Sequence, residues 1–160
     1  MPKLDLLTIV PKQGSSYPDP YSKPCVGRIN YAFGNAGGLD QFGVSKVILP
    51  APLAGEESWS SQRHRHSAED EFVYVLSGEC ILVDDRGETI LKTGDVCTHK
   101  ANDGNAHHFK NVSSQDVILL VVGSRRPEND HCIYPDIDLD LPANGTSTRK
   151  FIRKDGSAYS

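Results

Sequence analysis

The chain is short of several things, and each shortage excludes something. No apolar run approaches the roughly 18 residues that a membrane-spanning helix requires. The opening residues Met1-Pro2-Lys3-Leu4-Asp5 do not read as a secretion signal. There is no excess of positive charge: 17 Lys and Arg stand against 21 Asp and Glu, for a net charge of −4. Neutralising phosphates takes clustered cations. The locally basic stretch 149–154 is too short to supply them, so neither nucleic acid nor membrane is an expected partner. Cysteine is limited to positions 25, 80, 97 and 132, with no Cys-x-x-Cys spacing. That argues against a zinc knuckle or a redox dithiol. Free, mostly buried thiols and a cytoplasmic location are expected. No window offers an amphipathic helix of ten or more residues.

What remains is a chain with a period of two. Its 160 residues suit one domain, 1–160. Pro- and Gly-rich composition marks arms at 1–26 and 127–160, around a core of about 27–126. The spacing predicts strands over 44–49, 72–76, 80–83, 89–91 and 117–122, with turns at Ser77-Gly78, Asp84-Asp85-Arg86-Gly87 and Thr93-Gly94-Asp95. Strands every eight to twelve residues indicate an all-β sandwich or barrel. Within 72–76, Val73 and Val75 face one way and Phe72, Tyr74 and Leu76 the other. Both faces are apolar, so this strand is expected to be covered on both sides. At the end of the core, Arg125 and Arg126 are expected to be solvated or paired with the acidic run Asp136, Asp138 and Asp140 of the second arm, and His131 in that arm to be solvated.

Histidine is concentrated. All six lie between positions 64 and 131, five of them by position 108. His64 and His66 stand two apart, so on a strand they share a face. Glu71 follows a polar connection, and His107 precedes a turn at Asn111-Val112-Ser113-Ser114. Several neutral imidazoles and one carboxylate suit a divalent manganese, iron, cobalt, nickel or zinc ion. His108 faces away from His107 on a strand and is expected to pack or hydrogen-bond. His99 stands between a cavity-lining acid or base and a surface residue. Arg28 is a candidate anchor for an anionic substrate.

These spacings resemble a known family. His64-x-His66-x4-Glu71-x6-Gly78 looks like the first cupin motif, and Gly94 through His107-x3-Asn111 like the second. Further likeness, in Gly27-Arg28, Asp70-Glu71-Phe72-Val73-Tyr74-Val75-Leu76 and Tyr134-Pro135-Asp136, extends to a group of single-domain cupins sometimes labelled sugar-phosphate isomerases. The resemblance implies a jelly roll, or double-stranded β-helix, with extended N- and C-terminal arms. By position it implies one divalent metal on His64, His66, Glu71 and His107. The pattern departs at Ser58, where glycine is usual, at Asn102, where proline is usual, and in a stretch after Gly94 that is two residues longer and contains His99. The implied function is a metal-dependent enzyme acting on a small polar or anionic metabolite by isomerase, decarboxylase, lyase or dioxygenase chemistry. His99 and Arg28 are its candidate catalytic residues. The alternative is a non-catalytic small-ligand or sugar-binding cupin with a structural or vestigial metal. The arms and the doubly apolar strand suggest a homodimer.

Overall fold

A computed structural model describes residues 3–146 and 148–159. The first strands are β1 (Lys12–Gln13), β2 (Ile29–Tyr31), β3 (Phe42–Leu49), β4 (Ser58–Trp59) and β5 (Arg65–His66), all short except β3. There follow β6 (Glu71–Ser77), β7 (Glu79–Asp84), β8 (Gly87–Lys92), β9 (Val96–His99), β10 (His108–Asn111), β11 (Val117–Ser124), β12 (Cys132–Ile133) and β13 (Asp140–Leu141). The α-helix described, α1 (Phe33–Ala36), is a single turn.

All strand pairs are antiparallel. They form a six-stranded sheet β1-β2-β3-β11-β6-β9, a four-stranded sheet β4-β10-β7-β8, and a small sheet β13-β12-β5. This is the all-β architecture of a jelly roll, and the five expected strands all lie inside it. Turn chemistry sets the register. At the β7–β8 hairpin, Asp84 accepts from the Arg86 amide at 2.8 Å, and Gly87 takes φ 119°. Between β6 and β7, Gly78 adopts φ +86°, and a Cβ there would meet the Asp116 carbonyl at 2.7 Å. A side chain is therefore excluded twice, by conformation and by space.

The core lies between the two larger sheets. Val47, Leu49, Val73, Val75, Val117 and Leu119 meet Cys80, Leu91 and Phe109 from the facing sheet. Each such side chain contributes about 1.5–3 kcal/mol by leaving water. The other face of the large sheet differs from expectation. Phe72, Tyr74, Ile118, Leu120 and Val122 are only half-buried, Leu76 is 43% exposed and neighbouring Val96 is 55% exposed. The inner face is covered by its partner sheet, whereas no sheet among the described residues packs on the outer one.

The arms build a second apolar cluster. Cys132, Tyr134 and Leu139 are buried, and Tyr17, Tyr21, Ile137, Leu141, Phe151 and Tyr159 pack on them. The Tyr17 ring meets Tyr134 edge-on at 5.7 Å and Phe151 at 5.4 Å. The N-terminal arm thus packs directly against the C-terminal one. The acidic run finds other partners than expected: Asp136 takes a two-pronged bond from Arg63, both contacts 2.6 Å, and Asp140 Oδ1 lies 2.7 Å from His131 Nε2. His131 is therefore not simply solvated, and Arg125 turns to the Leu39 carbonyl and Asn35. All four cysteines are free.

Candidate functional site

His64 and His107 are joined through the backbone. Each donates its amide to the other's carbonyl, at 3.0 and 2.8 Å, which sets the two imidazoles side by side. Glu71 opens β6 on the same inward-facing parity as Val73 and Val75. One donor atom each from His64, Glu71 and His107 lie within 4.8 Å of one another. His107 Nε2 is 3.2 Å from Glu71 Oε1. His107 is 2% exposed, and its Nδ1 has no hydrogen-bond partner.

The fourth expected ligand, His66, stands beside this cluster. Its ring centre is 5.0 Å from that of His64, as two positions on one strand face require. Its donor atoms group with those of His64 and Cys132, and with Glu69 and Asp130, rather than with Glu71 and His107. His66 Nδ1 lies 2.7 Å from the fully buried Asp130 carboxylate. The longer stretch after Gly94 folds back onto this residue: the Asn102 amide donates to the His66 carbonyl at 2.9 Å, with Asn102 at φ 59°. Asparagine tolerates that left-handed conformation, whereas proline, with φ locked near −65°, would not.

The electrostatics prepare a neutral His64 beside an ionised Glu71. Burial, with His66 and His107 as neighbours, pushes His64 down to about 3. Its Nδ1–H donates to the Gln62 carbonyl at 2.9 Å, leaving Nε2 as a lone-pair donor. Burial alone would raise the Glu71 carboxyl. The His107 hydrogen bond and charge, with His64 and His66, outweigh it and hold Glu71 at about 2. For His66 burial pulls down, but Asp130, Glu71 and Glu69 prevail and leave the imidazole above its ordinary value. Two imidazoles and a carboxylate converging in one buried place, one ring nitrogen of them unpartnered, fit a borderline divalent ion.

These groups open on a cavity of about 300 Å³. Its walls include Val47, Phe109, Leu119 and Val121 from the barrel, and Tyr17, Tyr134 and Phe151 from the arms. Lys12 and Arg28 bring positive charge to the same space. Arg28 Nη1 donates to the Gly14 carbonyl at 3.3 Å, while its buried Nε has no partner. Of the two candidate catalytic residues, Arg28 therefore lines the cavity. His99 does not: it stacks behind His107, ring centres 3.3 Å apart and planes at 8°. Burial and the nearby His107 push His99 down to about 4, so it is a neutral ring. His108 faces away, its Nδ1 3.1 Å from the Ser61 carbonyl and its ring 4.4 Å from Trp59.

Residues 55–123 match the family model described as a cupin domain. Over almost its whole length the chain also matches a crystal structure of a sugar phosphate isomerase from a cupin superfamily, from Silicibacter pomeroyi DSS-3. Identity is 40%, coverage is 99% of this chain and 97% of that one, and the TM-score is 0.88. The chain belongs to the cupin superfamily. This cupin is also 34% identical over 59 residues to an oxalate-binding protein of Thermotoga maritima, a stretch covering 37% of this chain and 47% of that protein. The match thus spans about half of that relative's length. A predicted oxalate decarboxylase from Thermotoga maritima shares the fold, with a TM-score of 0.57 at 22% identity over 78% of this chain and 99% of that one.

Reading the sequence overlooked Asp130, Arg149, Lys12 and Phe151 as site neighbours. Lys12, Asp130 and Arg149 are common surface residue types in polar arms, and no spacing marks them.

Proposed function

We propose that this cupin is a metal-dependent enzyme that isomerises a small, oxygen-rich, anionic metabolite of the sugar-phosphate class. The observation that carries the reading is the convergence of His64, Glu71 and His107 on a cavity that also holds Arg28. Those three residues, with His66 as a fourth ligand, would hold one divalent ion, manganese, iron, cobalt, nickel or zinc. Bound there, such an ion supplies Lewis-acid polarisation of a carbonyl or hydroxyl oxygen. Arg28 and Lys12 bind the anionic group of the metabolite and fix which end faces the ligand cluster. Burial keeps the Tyr17 and Tyr134 hydroxyls protonated above their ordinary range, so these two walls of the cavity stay uncharged. The apolar wall of Val47, Phe109, Leu119 and Val121 excludes water. His99 supports the His107 ring from behind and does not touch the metabolite.

The active species is a homodimer joined through the outer face of the six-stranded sheet, working in a reducing, cytoplasmic setting that suits four free thiols. The test is to load the chelated protein with each metal in turn and incubate it with phosphorylated aldoses and ketoses in deuterated water. Isomerisation moves a carbon-bound hydrogen to the neighbouring carbon, so proton NMR should show product and loss of that signal. Turnover that survives both chelation and His107→Ala would overturn the reading. A second reading, a non-catalytic binding cupin, is favoured by one observation: the histidines on the cavity wall are both metal-ligand candidates. Saturable binding of phosphorylated sugars or oxalate without turnover by any metal form would establish it instead.

A further inference from the structure

Asp130 is a carboxylate with no exposed surface, and burying an ion without partners is costly. It has three. The Ala68 amide donates to Oδ1 at 3.0 Å, Arg149 Nη1 donates to Oδ2 at 2.9 Å, and His66 Nδ1 stands 2.7 Å from Oδ2. The same Arg149 nitrogen donates to the Asp130 carbonyl at 2.7 Å. Asp130 lies immediately before the β12 pairing, in which Cys132 sits opposite His66. Arg149 comes from the far part of the C-terminal arm, two residues before the cavity-lining Phe151.

An ionised carboxylate can only accept. The bond to His66 therefore requires the proton on Nδ1, and a neutral ring then keeps its lone pair on Nε2. Ring orientation and tautomer are thus both set by a group that never needs to touch a metal. His64 has the same arrangement with a weaker acceptor, the Gln62 carbonyl. His66 alone among the four expected ligands is given a charged one from outside the ligand set.

Resting on the metal reading above, we propose that Asp130, braced by Arg149, is the positioning residue that fixes His66 as an Nε2 donor and so ties docking of the C-terminal arm to metal affinity. Outer partners of this kind typically change metal affinity about 10- to 100-fold. Removing the Asp130 charge should act on affinity in that range. Arg149 acts one step further away and should act less.

The experiment uses the full chain, chelated and then titrated with cobalt(II) alone, followed by calorimetry and by the visible spectrum. Asp130→Asn is expected to weaken cobalt binding about 10- to 100-fold and to change the spectrum. Arg149→Gln should weaken binding less, and His108→Ala should leave it unchanged. Nitrogen-15 histidine NMR of the chelated wild type, with His66 assigned by its loss in His66→Gln, should show the proton on Nδ1. This readout stands even if Asp130→Asn fails to fold. A wild-type His66 protonated only on Nε2, or equal cobalt affinity in wild type and Asp130→Asn, overturns the positioning role while the metal reading stands. A wild type that takes up no cobalt overturns both.

Discussion

At the level of single residues, His107 and His108 show how one strand position separates two identical side chains. The His107 ring faces Glu71 and the cavity, whereas His108 turns to the Ser61 carbonyl and Trp59. A metal that binds only the folded chain stabilises it by mass action, about 2.7 kcal/mol at a free concentration 100 times its dissociation constant. The holo protein should therefore melt above the chelated one. His107→Ala should abolish most of that difference and His108→Ala should keep most of it, as differential scanning fluorimetry with and without chelator would show. The chelated protein should also respond to acid. His64 titrates near 3 in the fold against about 6.5 when unfolded, and Glu71 near 2 against about 4.5. Below those unfolded values the unfolded chain binds more protons, so stability is full above about pH 6.5 and is lost progressively toward about pH 2–3. His66 has the opposite sign, its contribution being full below about pH 6.5 and fading as pH rises through its elevated value. His64, His99 and Glu71 are depressed against the one raised histidine, His66, and melting temperature should fall from pH 6.5 to 4; a flat profile would contradict the assigned shifts. Much of this constellation was legible, because strand parity and His-x-His spacing act through local geometry. Asp130 was not, since it reaches His66 across 64 positions and no local pattern encodes that.

Among the elements, legibility followed length. The eight-residue β3 and β11 and the hairpin β7–β8 carry enough alternating apolar positions to be read directly. The two-residue strands β1, β4, β5, β12 and β13 have no period to read and exist because tertiary neighbours supply their pairs. The β6–β7 turn shows what a single position contributes. Gly78→Ala would place a Cβ against the Asp116 carbonyl in a left-handed conformation, and should cost about 1–3 kcal/mol. Gly55→Ala, also at positive φ but with open space around it, should cost less. Urea denaturation of the two variants would separate strain alone from strain plus collision. The arm cluster offers a second comparison. Phe151→Leu keeps most of the apolar contact with Tyr17 and Tyr134, whereas Phe151→Ala opens a gap and should destabilise by about 2 kcal/mol or more. That loss should be accompanied by faster proteolysis of residues 148–159, because this packing helps to hold the arm alongside its hydrogen bonds to Asp130, Asp138 and Asp140.

For the whole molecule, the decisive feature is the asymmetry of the large sheet. Its inner face meets another sheet, while its outer face presents Phe72, Tyr74, Leu76, Val96, Ile118, Leu120 and Val122 without a cover. An apolar surface of this extent on one sheet marks an association site. A second copy is the partner whose matching surface is already present, through two-fold pairing of like faces. The arm aromatics Tyr17, Tyr134 and Phe151 pack on one another beside the cavity, so the outer sheet face is the surface on which association is tested. A stable pairing buries at least about 1,000 Å². Light scattering at micromolar concentration should therefore give twice the 17.5 kDa chain mass. Leu76 and Val96 are the most exposed of these side chains, so charging them disturbs the fold least and the contact most. Leu76→Glu with Val96→Glu should produce a folded monomer with an unchanged far-ultraviolet spectrum, whereas Leu7→Glu, at an exposed position outside the sheet, should leave the dimer intact. A wild-type mass of one chain would leave the outer face to some other partner. A double variant that stays dimeric would move the interface elsewhere. Because the candidate ligands His64, Glu71 and His107 converge within one chain, the monomeric variant should still bind cobalt with wild-type affinity, which separates assembly from the chemistry of the site.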